Sequence, residues 1–254
     1  RRARPDALLV AEHAHDATGD LDRGGWHGTM NYGGFLRPVW SWLRAPELDL
    51  PDFLGVPGGV PVRPGDEVLA TMRAFAALVS WRSLTASWTL LGSHDTARIR
   101  TVVGTPALGE VAAGLLLTLP GTPMIFAGDE LGLRGVNGED SRTPMPWHRP
   151  ERWDRGTLRY YQELVALRRR LPALRHGGLR WLHADADALV FARETPREAV
   201  LVLARRASGG PLRLPWPAAA NEYGGAADLT PDRAGAVTLP ADGPGFQVWR
   251  SAVR

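Results

Sequence analysis

Four short apolar runs in this chain each end in polar, ionisable residues: Glu12-His13, Asn31-Tyr32, His94-Asp95 and Asp129-Glu130. Two of these pairs suit acid–base chemistry. Glu12 follows Leu8-Leu9-Val10-Ala11, so its carboxyl is expected to emerge from an apolar strand, where desolvation favours the protonated form. A carboxylic acid kept protonated near neutrality can protonate a leaving oxygen. Asp95, beside His94, supplies a second carboxylate at the end of another run. Asp129-Glu130 read as structural, orienting the following loop and pairing with an arginine.

Groups this far apart in sequence meet only if the runs are strands whose ends converge. Strands are expected at Leu8 to Ala11, weakly at Thr29 to Tyr32, at Trp88 to Leu91 and at Pro123 to Ala127. Helices are expected between them: an aromatic one from Phe35 to Leu43, an amphipathic one from Asp66 to Trp81, one opened by Pro106 and stopped by Pro120-Gly121, and one capped by Thr157 that runs to about Leu171. Strands alternating with helices argue βα units and a parallel sheet, and in parallel barrels the C-terminal strand ends carry the chemistry. Beyond residue 175 the pattern changes. DALVFARE, REAVLVLAR, GPLRLPW, GAVTLP and GFQVWR are short strands separated by Pro/Gly turns, an all-β module over 176–254 following an α/β region over 1–175.

Composition bounds the alternatives. The 254 residues carry 30 Lys+Arg against 27 Asp+Glu, with 44% hydrophobic and 22% charged residues, which excludes a disordered tail or a collagen-like repeat. With 0 Cys there is no disulfide framework, thiolate nucleophile or zinc finger. Every cation is an arginine, and the longest run, Arg168-Arg169-Arg170, ends a predicted helix, where cations suit the helix dipole. No clustered basic face marks a nucleic-acid partner. No apolar run approaches the roughly 18 residues of a membrane span. The opening stretch RRARPDALLVAEH lacks a signal segment and reads as the last turn of a helix, stopped by Pro5, then a buried strand. A start in mid-element points to a fragment, and a cytoplasmic location is expected.

VAEHAHDA, MNY, LLGSHDTARI and GTPMIFAGDELGLRGVNGEDSRTPMPW, in that order and spacing, resemble successive signatures of the α-amylase family of glycoside hydrolases, family 13. The similarity is closest to neopullulanase, cyclomaltodextrinase and α-glucosidase-like members, and it covers nearly the whole chain. It implies the second half of a (β/α)8 TIM barrel, strands 5–8, followed by a small antiparallel β-sandwich. Glu12, ending strand five, is then the general acid/base. Asp95, ending strand seven, is the fixed carboxylate that grips sugar hydroxyls and stabilises an oxocarbenium-like transition state, and His94 hydrogen-bonds the same sugar. Asn31 and Tyr32, after strand six, line the pocket. Arg142, after strand eight, lies near the non-reducing side of the substrate, although the acidic residue the pattern places just before it has no clear counterpart.

The resemblance also implies a gap. The family's nucleophilic aspartate ends strand four, two residues after an arginine, and Asp6 falls at the opposite face. The expectation is therefore a fragment of an enzyme acting on α-glucans or malto-oligosaccharides by retaining double displacement, itself inactive and aggregation-prone at its open edges. The same residues would serve a transglycosylase or isomerase, and a non-catalytic glycan-binding relative is the alternative from another class. No cofactor or metal is expected in this chain, calcium in the complete enzyme being left open, as is oligomeric state. His13 and His15 raise a metal-dependent hydrolase as a further rival, though strand alternation points Glu12 away from both. Trp26, Trp147 and Trp153 are expected in loops at the pocket rim, where an indole can stack on a sugar. Trp40, Trp42 and Trp81 are expected in the core.

Overall fold

Parallel strands need crossover connections, and the apolar runs supply strands short enough to be bridged by the helical segments between them. The computed structural model describes residue 4 and residues 6–22, 24–49 and 59–252, so the expected helix stop at Pro5 lies outside the described residues, as do residues 50–58 of the connection between the aromatic and amphipathic helices. Strand β1 (Val10–Ala11) pairs in parallel with β2 (Gly28–Thr29), and β3 (Trp88–Leu90) pairs in parallel with β4 (Thr122–Met124). An isolated parallel bridge from Met30 to Trp88 joins the two pairs, so the four strands follow one another in chain order.

The helices differ from expectation at their ends. The aromatic segment starts as a π-helical turn, Tyr32–Leu36, before the α-helix Arg37–Leu43: the Leu36 N–H donates to the Asn31 carbonyl five residues back at 3.1 Å, and the Asn31 side chain caps the turn by accepting the Gly34 N–H at 2.7 Å. The Asp66 to Trp81 helix is two helices, Gly65–Ala77 and Trp81–Ala86. Ser80 breaks it, accepting the Ser83 N–H on its hydroxyl as an N-cap. Trp81 thus opens a helix and is 46% exposed, contrary to its expected core position, while Trp40 and Trp42 are buried. Helix Pro106–Thr118 forms as expected, and Asp154 rather than Thr157 caps helix Arg155–Arg170, accepting the Thr157 N–H at 3.0 Å.

After the short helix Pro172–His176 the chain becomes all β. Five antiparallel strands, β5 (Gly178–Ala184), β6 (Ala188–Glu194), β7 (Glu198–Arg205), β8 (Ala220–Tyr223) and β9 (Gly245–Ala252), lie in the order β5-β6-β7-β9-β8. Leu212–Pro215 and Ala236–Leu239 form a separate antiparallel ladder. Period-two alternation divides β6 and β7 between two cores. Phe191, Val200 and Val202 join the core of the α/β region, whereas Val190, Leu201 and Leu203 join Trp249, Val237 and Leu239. Helix Pro106–Thr118 lies against the sheet closely enough that a Cβ on Gly114 would stand 2.5 Å from the Phe246 ring. Among the described residues no helix is long and apolar enough to cross a membrane.

Candidate active site

Parallel strands in chain order place the residues that follow β1 and β3 at the same end of the sheet. The Ser93-His94-Asp95-Thr96 turn after β3 is fixed from within. The Ser93 N–H donates to the Thr96 hydroxyl at 2.9 Å, and the Thr96 N–H donates to the Ser93 carbonyl at 3.2 Å. Ser93 and Thr96 are buried, which leaves His94 and Asp95 facing outward. Glu12 follows Ala11, whose carbonyl accepts the Met30 N–H at 2.8 Å. Across the turn, His94 Nε2 stands 3.6 Å from Glu12 Oε1 and 3.4 Å from Asp95 Oδ1.

Arg142 completes the cluster. Its Nε donates to the His94 carbonyl at 3.0 Å, and its Nη2 donates to Asp95 Oδ1 at 3.2 Å. The loop that carries it packs on the turn directly: a Cβ on Gly138 would lie 3.0 Å from the Asp95 Cα. Behind that loop Arg98 is fully buried, donating from Nη1 to Asp129 Oδ1 at 2.9 Å and from Nη2 to the Ser141 carbonyl at 2.8 Å. Burial pushes the Asp129 carboxyl up to about 7 against the pull of Arg98. This is the structural role expected for Asp129. Glu130 accepts the Gly128 N–H at 2.7 Å.

Glu12, His94, Asp95 and Arg142 are therefore brought together, and the two other expected residues stand behind them. Tyr32 is buried and donates its hydroxyl to Ser93 Oγ at 2.9 Å, and Ser93 Oγ also accepts the Asp95 N–H at 3.1 Å. Burial raises the Tyr32 hydroxyl above its ordinary value, so it stays a neutral donor. Asn31 is buried and spends its side-chain oxygen on the π-turn. Neither side chain reaches the cluster surface. The burial expected of Glu12 is absent: its side chain is 59% exposed, and Leu8 before it is 56% exposed. Nothing among the described residues walls β1 on that side.

Glu12, His94 and Asp95 offer donor atoms that all lie within 4.8 Å of one another, within reach of one cation, with the Arg142 guanidinium opposing a further positive charge. His13 and His15 take no part. Their rings meet edge to face, and His13 Nδ1 accepts the His15 N–H. Asp6 pairs with Arg4 ahead of β1. Trp147 is 65% exposed and follows the Arg142 loop, and Trp153 donates its indole N–H to the Pro146 carbonyl at 3.0 Å. Trp26 precedes β2, at the end of the sheet opposite Glu12, so it is not on this rim. The role of Ser93 was missed, although a serine directly before His94-Asp95 in LLGSHDTARI was the available signal.

Residues 68–152 match the α-amylase catalytic domain family. Neopullulanase 2 of Thermoactinomyces vulgaris is 35% identical over 189 residues, 74% of this chain and 29% of that protein. Cyclomaltodextrinase of Geobacillus thermopakistaniensis is 29% identical over 84% of this chain and 34% of its own length. The chain thus spans about a third of these curated relatives. The acarbose-soaked Nostoc punctiforme debranching enzyme superposes with a TM-score of 0.78 at 27% identity, covering 98% of this chain and 52% of that one. The ligand-free cyclic α-maltosyl-(1→6)-maltose hydrolase of Arthrobacter globiformis does so with a TM-score of 0.74 at 25% identity, covering 98% and 49%. Motif order, fold and sequence identity agree: the chain belongs to the α-amylase family of glycoside hydrolases.

Proposed function

We propose that this chain supplies the acid/base half of a retaining glycosidase active on α-glucosidic bonds of malto-oligosaccharides or related glucans. The observation that carries the reading is the close approach of Glu12, His94 and Asp95 at the C-terminal ends of the parallel strands, with Arg142 bound to Asp95. Glu12 as a carboxylic acid gives its proton to the glycosidic oxygen as the bond to the anomeric carbon breaks. A carboxylate nucleophile takes that carbon as a glycosyl ester. Glu12, now a carboxylate, removes a proton from the incoming water, which displaces the ester. Asp95 and His94 hold the sugar hydroxyls, and the fixed charge of Asp95 favours the oxocarbenium-like transition state.

Both carboxylates of the cluster are assigned in this scheme, so the nucleophile comes from elsewhere. We place it in the preceding half of a (β/α)8 barrel within a longer polypeptide, with the present α/β region, residues 1–175, as strands five to eight and residues 176–254 as the β-sandwich. Water exclusion around the exposed Glu12 is then the task of that first half and of the bound sugar. The relatives named neopullulanase and cyclomaltodextrinase support the substrate class.

One observation favours a second reading. A Glu12 oxygen and an Asp95 oxygen lie within 4.8 Å, near the roughly 5–5.5 Å separation of a retaining acid/nucleophile pair. If Asp95 were the nucleophile, this chain would be active alone. A maltotetraose digest separates the two. Turnover by the longer polypeptide and none by the 254-residue chain supports the first reading, and turnover by the 254-residue chain refutes it. Product analysis of the same digest distinguishes hydrolysis from transfer to a sugar acceptor. Silence from both proteins removes the substrate class and leaves a glycan-binding relative.

A further inference from the structure

We propose a second carbohydrate-binding point at the N-terminal ends of the parallel strands, where Trp26, His27 and Arg82 hold a segment of an α-glucan away from the catalytic cluster. That the ligand is a glucan rests on the function proposed above. Trp26 and His27 immediately precede β2, and Arg82 lies in the helix Trp81–Ala86 that leads into β3, so they stand where the strands begin, whereas Glu12 and His94 stand where β1 and β3 end.

These side chains, with Asp22, line a cavity of about 130 Å³. The Trp26 indole is 42% exposed. His27 Nδ1 accepts the Leu9 N–H at 2.9 Å, which leaves the proton of the neutral ring on Nε2. That donor, the indole N–H and the Arg82 guanidinium make no hydrogen bond among the described residues. A sugar ring offers the complement: a C–H face for the indole and hydroxyl oxygens for three donors.

The loop is set before any ligand arrives. Asp22 has a φ of 65°, in the left-handed region that aspartate adopts more readily than most non-glycine residues. Its carboxylate accepts the Ser80 N–H at 2.6 Å and the Ser80 and Ser83 hydroxyls at 2.5 Å each. The loop leading to Trp26 is thereby tied to the helix that carries Arg82. Pre-ordering removes part of the entropic cost of binding.

The test is affinity electrophoresis through gels containing soluble amylopectin, with maltoheptaose titration by calorimetry. It is run on the 254-residue chain and on the longer polypeptide. Retardation should persist in Glu12→Gln/Asp95→Asn and weaken about tenfold in Trp26→Ala, with Arg82→Ala weaker than wild type and Trp26→Phe in between. The thermal melts of the Trp26 variants should match wild type, and turnover of maltotriose by the longer polypeptide should be unchanged in Trp26→Ala. Unaltered retardation in Trp26→Ala, loss of retardation in Glu12→Gln/Asp95→Asn, or a titration with inorganic phosphate and none with maltoheptaose would each overturn the proposal. Failure of the catalytic reading shows separately, as absent turnover.

Discussion

The buried hydroxyl of Tyr32 meets Ser93 Oγ at 2.9 Å, and the same oxygen receives the Asp95 N–H. A residue after β2 thus fixes the backbone of a residue after β3, and the orientation of the Asp95 carboxylate depends on a group that no substrate touches. Tyr32→Phe keeps the ring packing and removes the bond. We expect a loss of about 1 kcal/mol in urea unfolding and, in the longer polypeptide, a fall in kcat larger than any change in KM. Unchanged kinetics would show that Ser93 holds Asp95 without help.

Glu12→Gln keeps size and hydrogen bonding and removes the transferable proton. In the longer polypeptide it should lower turnover of maltotetraose by roughly 10²–10⁴-fold. A substrate with an acidic leaving group needs less protonation and should suffer less in its first step. Equal losses on both substrates would count against the acid role.

The Arg142 loop rests on the Asp95 backbone through Gly138, where an added Cβ would stand 2.9 Å from the Asp95 carbonyl carbon. Gly138→Ala must displace one of the two segments. The pairing of Arg142 with Asp95 should be lost, with a stability cost of about 1–3 kcal/mol. Kinetics of Gly138→Ala beside Arg142→Ala checks this: the two should resemble each other.

Asp129 sets a pH dependence. Its folded-state value, pushed up to about 7 by burial, lies above that of an unfolded aspartate. The folded protein therefore binds more protons than the unfolded chain between about pH 4 and 7, and this group's contribution is lost as pH rises through that window. Denaturant midpoints of wild type and Asp129→Asn at pH 5 and pH 8 give the check. Wild type should lose stability relative to the variant on going to pH 8, and a parallel shift of both would refute the assignment.

What was legible in the sequence follows from which signals are local. Helix Pro106–Thr118 and strands β6, β7 and β9 were read closely, because proline and glycine punctuate them and their apolar residues recur at one period. Strand β5 is not legible: GLRWLHA follows a short helix beyond the one expected to end near Leu171, and its half-buried residues give no clean alternation. Trp81 was misplaced because the cap at Ser80 interrupts an apolar pattern that continues through it. The convergence of Glu12, His94, Asp95 and Arg142 was legible from motif order. The cover over Glu12 was not, since exposure depends on what packs against a strand, and a strand's own residues do not encode that. Trp26 was put on the wrong face because a loop joining two parallel strands visits both ends of the sheet.

The contact between Gly114 and the Phe246 ring has a consequence for recombination among relatives. A helix without a side chain at that point, sunk against a sheet whose other face has its own core, does not present a detachable module. Moving this β region onto a homologue whose helix carries alanine or a larger residue where this chain has Gly114 would set the Phe246 ring against a methyl, so the junction is portable only if the helix travels with the sheet. In hydrogen exchange the two should protect and open together as one foldon.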